Sequence, residues 1–174
     1  MRLGIVCVGR ANKTQEQELC DTYLARAGAL GRKLGFAKLD LAVIDVSRAA
    51  SAASRMSEEA KKIVARLPKG ARIVALDEAG RARDSESFAN DLARLRDQGV
   101  RDLCFVIGGP DGLASELRAS AEERLAFGPQ TWPHLLVRAM LAEQIYRAFS
   151  ILAGHPYHRG MTPSSNSNTR HGRP

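Results

Sequence analysis

Short apolar runs, each followed by a stretch with helical spacing, constrain this chain more than any other feature. Arg2–Gly9 (RLGIVCVG), Leu39–Val46 (LDLAVIDV), Arg72–Asp77 (RIVALD) and Asp102–Ile107 (DLCFVI) are strand-length and rich in β-branched residues, and Arg124–Phe127 is a shorter fifth run. Between the first two lies Gln15–Leu34, with Leu19, Tyr23, Leu24, Ala27 and Leu30 at helical spacing and Gly35 as a stop. A Ser/Ala-rich stretch, Ser47–Ser54, reads as a mobile loop. Ser57 then reads as the N-cap of a helix to Leu67, with Glu58 and Glu59 in its first turn. Ser85 caps a helix through Gln98, another starts near Leu113, and a long amphipathic helix runs from Pro133 or His134 to Ala153. Buried-type strands alternating with helices predict an α/β fold, a mainly parallel sheet flanked by helices.

The chain has 174 residues, of which 44% are apolar and 26% charged, the balance of an ordinary globular domain. Residues 1–160 read as one domain. Residues 161–174 (MTPSSNSNTRHGRP) lack apolar periodicity and read as a disordered tail. No apolar run approaches the roughly 20 residues that span a bilayer, and the N-terminal run is too short for a signal-peptide core, so no membrane association and a cytoplasmic location are expected. Cys7, Cys20 and Cys104 form no CxxC pair and no zinc-ligand spacing, which points to buried thiols and no metal.

The net charge is +7, carried mostly by arginine, whose planar fork grips phosphate in two places. A polyanionic partner follows from that charge, although arginine-rich coding alone also produces it. The distribution is more informative. All four histidines fall at or beyond residue 134, and between His134 and the C-terminus there are five arginines and a single acid, Glu143.

Three motifs carry candidate chemistry. After the fourth strand comes Ile107-Gly108-Gly109-Pro110-Asp111-Gly112, where two glycines either bare the backbone to a ligand or simply make a tight turn. The run Phe127-Gly128-Pro129-Gln130-Thr131-Trp132-Pro133-His134 sets the only tryptophan between prolines, as a rigid surface for a planar ring or as packing, and leads into a helix N-terminus that attracts anions. Beyond the last helix, His155-Pro156-Tyr157-His158-Arg159 brings together two imidazoles, a phenol and a guanidinium, or is a solvated helix end. No GxGxxG or GxxxxGK[ST] motif follows any strand, so a dinucleotide fold or a P-loop is disfavoured.

In this order and at these distances, FVIGGPDGL, the Thr131–His134 loop, LVRxxLxEQxYRAxxI over Leu136–Ile151 and HPYHR resemble the ribosomal RNA large-subunit methyltransferase H family of the SPOUT class. The likeness covers Met1–Arg159. It implies an α/β fold whose C-terminal segment forms a trefoil knot, S-adenosylmethionine as cofactor, and a homodimer. It also implies methylation of N3 of a pseudouridine in the helix 69 loop of 23S rRNA, within the assembled 70S ribosome.

Carried over by position, the resemblance assigns cofactor contacts to Leu76, Gly108 and Gly109, and to the loop Phe127, Gly128, Pro129, Gln130, Thr131 and Trp132. Pro129 has no N–H to donate. Catalytic roles are expected of His155, Tyr157, His158, Arg159 and Arg138. The two arginines would hold phosphate or a uracil oxygen, and Tyr157 or a histidine would relay the N3 proton, on the partner subunit's cofactor if the site forms at the dimer interface. Two other readings share the fold: a non-catalytic ribosome- or RNA-binding protein, and a SPOUT methyltransferase acting on tRNA.

Overall fold

Every strand of the sheet is parallel. A computed structural model describes residues 1–10 and 14–158, with His158 described in its backbone only. Its elements are β1 (Arg2–Val8), α1 (Gln15–Lys33), β2 (Lys38–Ile44), α2 (Ala52–Val64), β3 (Arg72–Ala82), α3 (Ser85–Asp97), β4 (Asp102–Ile107), α4 (Ser115–Ser120), β5 (Glu123–Ala126), α5 (His134–Leu152) and a 3₁₀ turn over Pro156–His158. The strand order is β2-β1-β4-β3-β5. Pairing is in register from Arg2 against Lys38 on one side of β1 and against Asp102 on the other. The fold class expected from the sequence is therefore the one observed. The tail 161–174 lies outside the described residues.

Alternate residues of the strands feed two cores. Leu3, Ile5 and Cys7 of β1 pack with Phe105 of β4 under α1, α3 and α5, while Val6 and Val8 face Ile63 of α2 and Leu117 of α4. Both faces of β4 are covered, and all six of its residues are buried, so its sequence shows no polar alternation.

The structure differs from the sequence reading at a strand end, at two helix starts and on one helix face: β3 runs to Ala82, five residues past the expected Asp77. The N-cap of α2 is Ser51, six residues before the expected Ser57, and it accepts the Ser54 amide. Its Ala-rich start is helical because alanine has the highest helix propensity, which the reading of Ser47–Ser54 as a loop undervalued. The cap of α3 is Asp84, whose side chain accepts the Ser87 amide, one residue before the expected Ser85. On α1 the buried residues are Cys20, Ala27 and Gly31, whereas Leu19 is 46% exposed. The seam is made of small residues because α5 lies close: a Cβ on Gly31 would be 2.6 Å from the Phe149 ring. No described helix is long and apolar enough to cross a membrane.

Candidate active site

At the carboxyl ends of β3, β4 and β5, three chain segments enclose a cleft of about 800 Å³. A cleft outside the carboxyl ends of parallel strands is the usual ligand position in such sheets, and this size falls within the roughly 300–1,000 Å³ of small-molecule sites. Leu76 lines it from β3, Gly108 to Leu113 from the turn after β4, and Phe127, Gly128, Gln130, Thr131 and Trp132 from the loop after β5. His134 and Val137, in the first turn of α5, close it. Eight of the nine expected cofactor positions thus share one cavity; Pro129 does not line it.

The glycine turn has its own steric logic. A Cβ on Gly108 would lie 2.4 Å from the carbonyl carbon of Gly112, because the chain folds back there and the Gly112 amide donates to the Gly109 carbonyl (2.9 Å). At Gly109, a Cβ would meet Glu59 Oε2 and Val8 Cγ1, each at 3.0 Å. Packing alone requires glycine at 108, where the clash is with backbone; at 109 a side chain fits only if the Glu59 and Val8 side chains yield.

Helix α2 grips this turn from outside. Arg55 Nε and Nη2 donate to the two carboxylate oxygens of Asp111 (2.7 and 2.9 Å), and Arg55 Nη1 donates to the Ala49 carbonyl (3.1 Å). The paired guanidinium holds the Asp111 carboxyl below its ordinary pKa. One turn along, Glu59 is 2% exposed; its Oε1 accepts the Ser47 amide and its Oε2 has no hydrogen-bond partner.

The loop after β5 is pinned at both ends. Trp132 Nε1 donates to the Phe127 carbonyl (3.2 Å), and the Thr131 hydroxyl donates to Glu78 of β3 (2.8 Å). Next to Glu78, Asp77 accepts the Ala79 amide and lies 3.5 Å from Arg118 at the cleft.

Helix α5 starts at Pro133 without a side-chain cap, so its positive end opens beside the cleft. His134 sits there with its pKa lowered, first by burial and then by Arg138, against the opposing charge of Glu59. The ring is therefore neutral at pH 7.

Arg138, one turn further, is only 1% exposed. Its Nη1 donates to Cys7 Sγ (3.5 Å), and Nε and Nη2 have no hydrogen-bond partner among the described residues. Burial pushes the Cys7 thiol pKa up, and Arg138 partly offsets this. Arg138, expected to hold phosphate or a uracil oxygen, is buried where helix and sheet close over it. The sequence carried the signal, since Arg138 precedes the buried Ala142 by four residues on the same face of α5.

The C-terminal cluster lies elsewhere in the same chain. The Tyr157 hydroxyl donates to Glu143 Oε1 (3.1 Å) and is 3.3 Å from the Tyr23 hydroxyl, with its ring against Tyr146 and the Arg147 guanidinium. Burial, Tyr23 and Glu143 together raise its pKa, so the phenol stays protonated. The Tyr157 amide donates to His155 Nδ1 (3.2 Å). The cluster lies along α5 away from the cleft: the Tyr157 hydroxyl sits at Glu143, nine residues beyond His134, or about 14 Å at 1.5 Å per residue. The side chain of His158 and all of Arg159 lie outside the described residues. No cluster of three or more potential metal ligands occurs among the described residues.

Arg55, Glu78, Asp111, Arg118 and His134 are ionisable members of this region to which the motif reading gave no role. His134 and Asp111 lay inside quoted motifs; Arg55 and Arg118, on helices outside them, gave no comparable signal.

The family described as "Predicted SPOUT methyltransferase" matches residues 1–158. The ribosomal RNA large subunit methyltransferase H of Rhodopseudomonas palustris (strain HaA2) is 54% identical over 159 residues, covering 91% of this chain and 99% of that protein. The protein of the same name from Nitrobacter hamburgensis is 52% identical over 160 residues, covering 92% of this chain and all of that protein. Among solved structures, a probable methyltransferase from Bordetella pertussis Tohama I superposes with a TM-score of 0.43 at 15% identity, covering 84% of this chain and 95% of that one.

Proposed function

From the premise that this chain belongs to the SPOUT methyltransferase family, we propose that it methylates 23S rRNA with S-adenosylmethionine, at N3 of a pseudouridine in the helix 69 loop, on the assembled 70S ribosome in the cytoplasm. The observation that carries the reading is the meeting of the β3 end, the glycine turn and the Phe127–Trp132 loop in one cleft. Relatives more than 50% identical over nearly their whole length bear the name of ribosomal RNA large subunit methyltransferases.

The cleft suits this cofactor. Leu76, Leu125, Phe127 and Val137 offer apolar surface to a planar base, and Gly108 and Gly128 bring backbone without side-chain obstruction. Leu76, Gly108, Gly109 and the backbone of the loop Phe127, Gly128, Gln130, Thr131 and Trp132 would hold the cofactor, with Pro129 stiffening the loop rather than donating. When bound, S-adenosylmethionine supplies an already activated methyl group. The protein then contributes placement and exclusion of water. In this reading the trefoil knot of the family forms around the same loops.

The acidic N3 proton must leave, and the groups for that task are those beyond α5. The Tyr157 hydroxyl, held at Glu143, is about two and a half turns along α5 from His134, and in the homodimer of this reading His155, Tyr157, His158 and Arg159 serve the cleft of a second copy. There Arg159 holds phosphate or a uracil oxygen, and a histidine accepts the proton. The Tyr157 phenol, protonated and bonded to Glu143, orients rather than accepts. Arg138 acts from beneath, as a fixed buried charge beside His134.

The test supplies labelled S-adenosylmethionine to three acceptors: ribosomes from a strain lacking the modification, protein-free 23S rRNA, and tRNA. Label on ribosomes in excess over the other two is expected. Label on tRNA alone would favour the tRNA reading, and no transfer to any acceptor would favour a non-catalytic binder.

A further inference from the structure

Only three large apolar side chains are more than a third exposed among the described residues: Leu19, Val64 and Trp132. Leu19 and Val64 stand on α1 and α2; Trp132 alone lines the cleft, 38% exposed. Its ring is not loose. The indole N–H is committed to the Phe127 carbonyl, Thr131 is tied to Glu78, and Pro129 and Pro133 stiffen the chain on either side. An aromatic ring held in place at a cleft, with its polar edge already satisfied, has only its flat surface left to offer.

Charge indicates what kind of flat partner fits. Arg10 after β1, Arg48 after β2, Arg81 near the end of β3 and Arg118 on α4 are exposed on segments at the carboxyl edge of the sheet or lining the cleft. Such an edge supplies counter-charge to a phosphate backbone, while a neutral ring takes a base. An enzyme acting on a base in a folded loop must pull that base out of its stack, and stacking on an aromatic side chain compensates for the loss without demanding a sequence.

Resting on the reading of this chain as an RNA methyltransferase, we infer that the Trp132 side chain is a stacking platform for an unstacked nucleobase of the RNA substrate. The backbone of the same loop faces the cofactor. Trp132 is then a substrate-contacting residue whose loss weakens RNA engagement and leaves cofactor binding intact.

Trp132 is the only tryptophan in the chain, so its emission reports this ring alone. With full-length protein saturated in S-adenosylmethionine, a helix 69 hairpin RNA should quench the emission, the same hairpin with an abasic loop should not, and the cofactor alone should quench little. In ribosome methylation, Trp132→Leu should raise KM for ribosomes about tenfold, the order expected for one lost base–aromatic stack, with the cofactor Kd unchanged. Trp132→Phe should recover most of that loss. Weaker cofactor binding with an unchanged ribosome KM would give the ring to the cofactor and overturn the inference. So would equal quenching by intact and abasic loops, or dissociation of a wild-type dimer to monomers in Trp132→Leu. Base-dependent quenching by a protein that transfers no methyl group would keep the inference and remove the reading it rests on.

Discussion

At Gly108 the sequence and the structure give different reasons for the same residue. Read alone, two successive glycines after a strand suggest backbone left bare for a ligand, but a Cβ at 108 would lie 2.4 Å from Gly112, so the turn itself excludes any other residue. Gly108→Ala should cost about 1–3 kcal/mol, as overpacking does, and reduce S-adenosylmethionine affinity as well, since the displaced strand of the turn is the cleft wall; chemical denaturation and calorimetric titration measure the two separately. His134 shows what the sequence could not rank. It stood in a quoted motif without a role, and only its burial beside Arg138 distinguishes it from a surface helix start. Because those neighbours lower its folded pKa, the folded state favours the neutral ring. The stability it contributes is complete above the unfolded value of about 6.5 and is lost as pH falls from there toward the lower folded value. Unfolding free energies measured from about pH 8 to about pH 5 should therefore decline more steeply in the wild type than in His134→Gln.

At the scale of elements, the strands were legible because β-branched runs bounded by turns have few other uses; each pattern marks a strand, though β3 runs on past Asp77 to Ala82. What escaped the pattern was contact between elements. Helix α2 looks in sequence like a charged surface helix, yet its Arg55 and Glu59, one turn apart, both face the glycine turn: one by a two-pronged ion pair to Asp111, the other buried against Gly109. Periodicity of apolar residues does not register a polar face turned inward. Arg55→Ala should leave stability within about 1 kcal/mol, as for a partly exposed ion pair, while raising KM for S-adenosylmethionine about tenfold, equivalent to about 1.4 kcal/mol. Arg55→Lys, which cannot form the two-pronged bond, should recover only part of it. Steady-state kinetics with the cofactor varied, beside a melting curve, separates a misplaced turn from a weakened fold.

At the scale of the molecule, the length of α5 governs the argument. It carries Tyr157 away from the cleft of its own chain, the phenol meeting Glu143 nine residues beyond His134, or about 14 Å along the helix, although the two motifs read in sequence as parts of one site. A linear pattern carries no distance, and the resemblance to a homodimeric family was the only hint that a second copy bridges the gap. Mixing subunits carrying Gly108→Val with subunits carrying His155→Ala and Arg159→Ala, each inactive alone, should restore about a quarter of wild-type methylation through two-fold heterodimers with one intact site. Recovery of none would place both motifs in the service of one chain. The most direct measurement of the central claim is mass spectrometric identification of the nucleoside that receives label from S-adenosylmethionine when the purified protein acts on unmodified ribosomes. The account predicts a single methyl group on N3 of a pseudouridine in the helix 69 loop of 23S rRNA. A methyl group on another nucleoside, or ribosomes left unmodified, would contradict it.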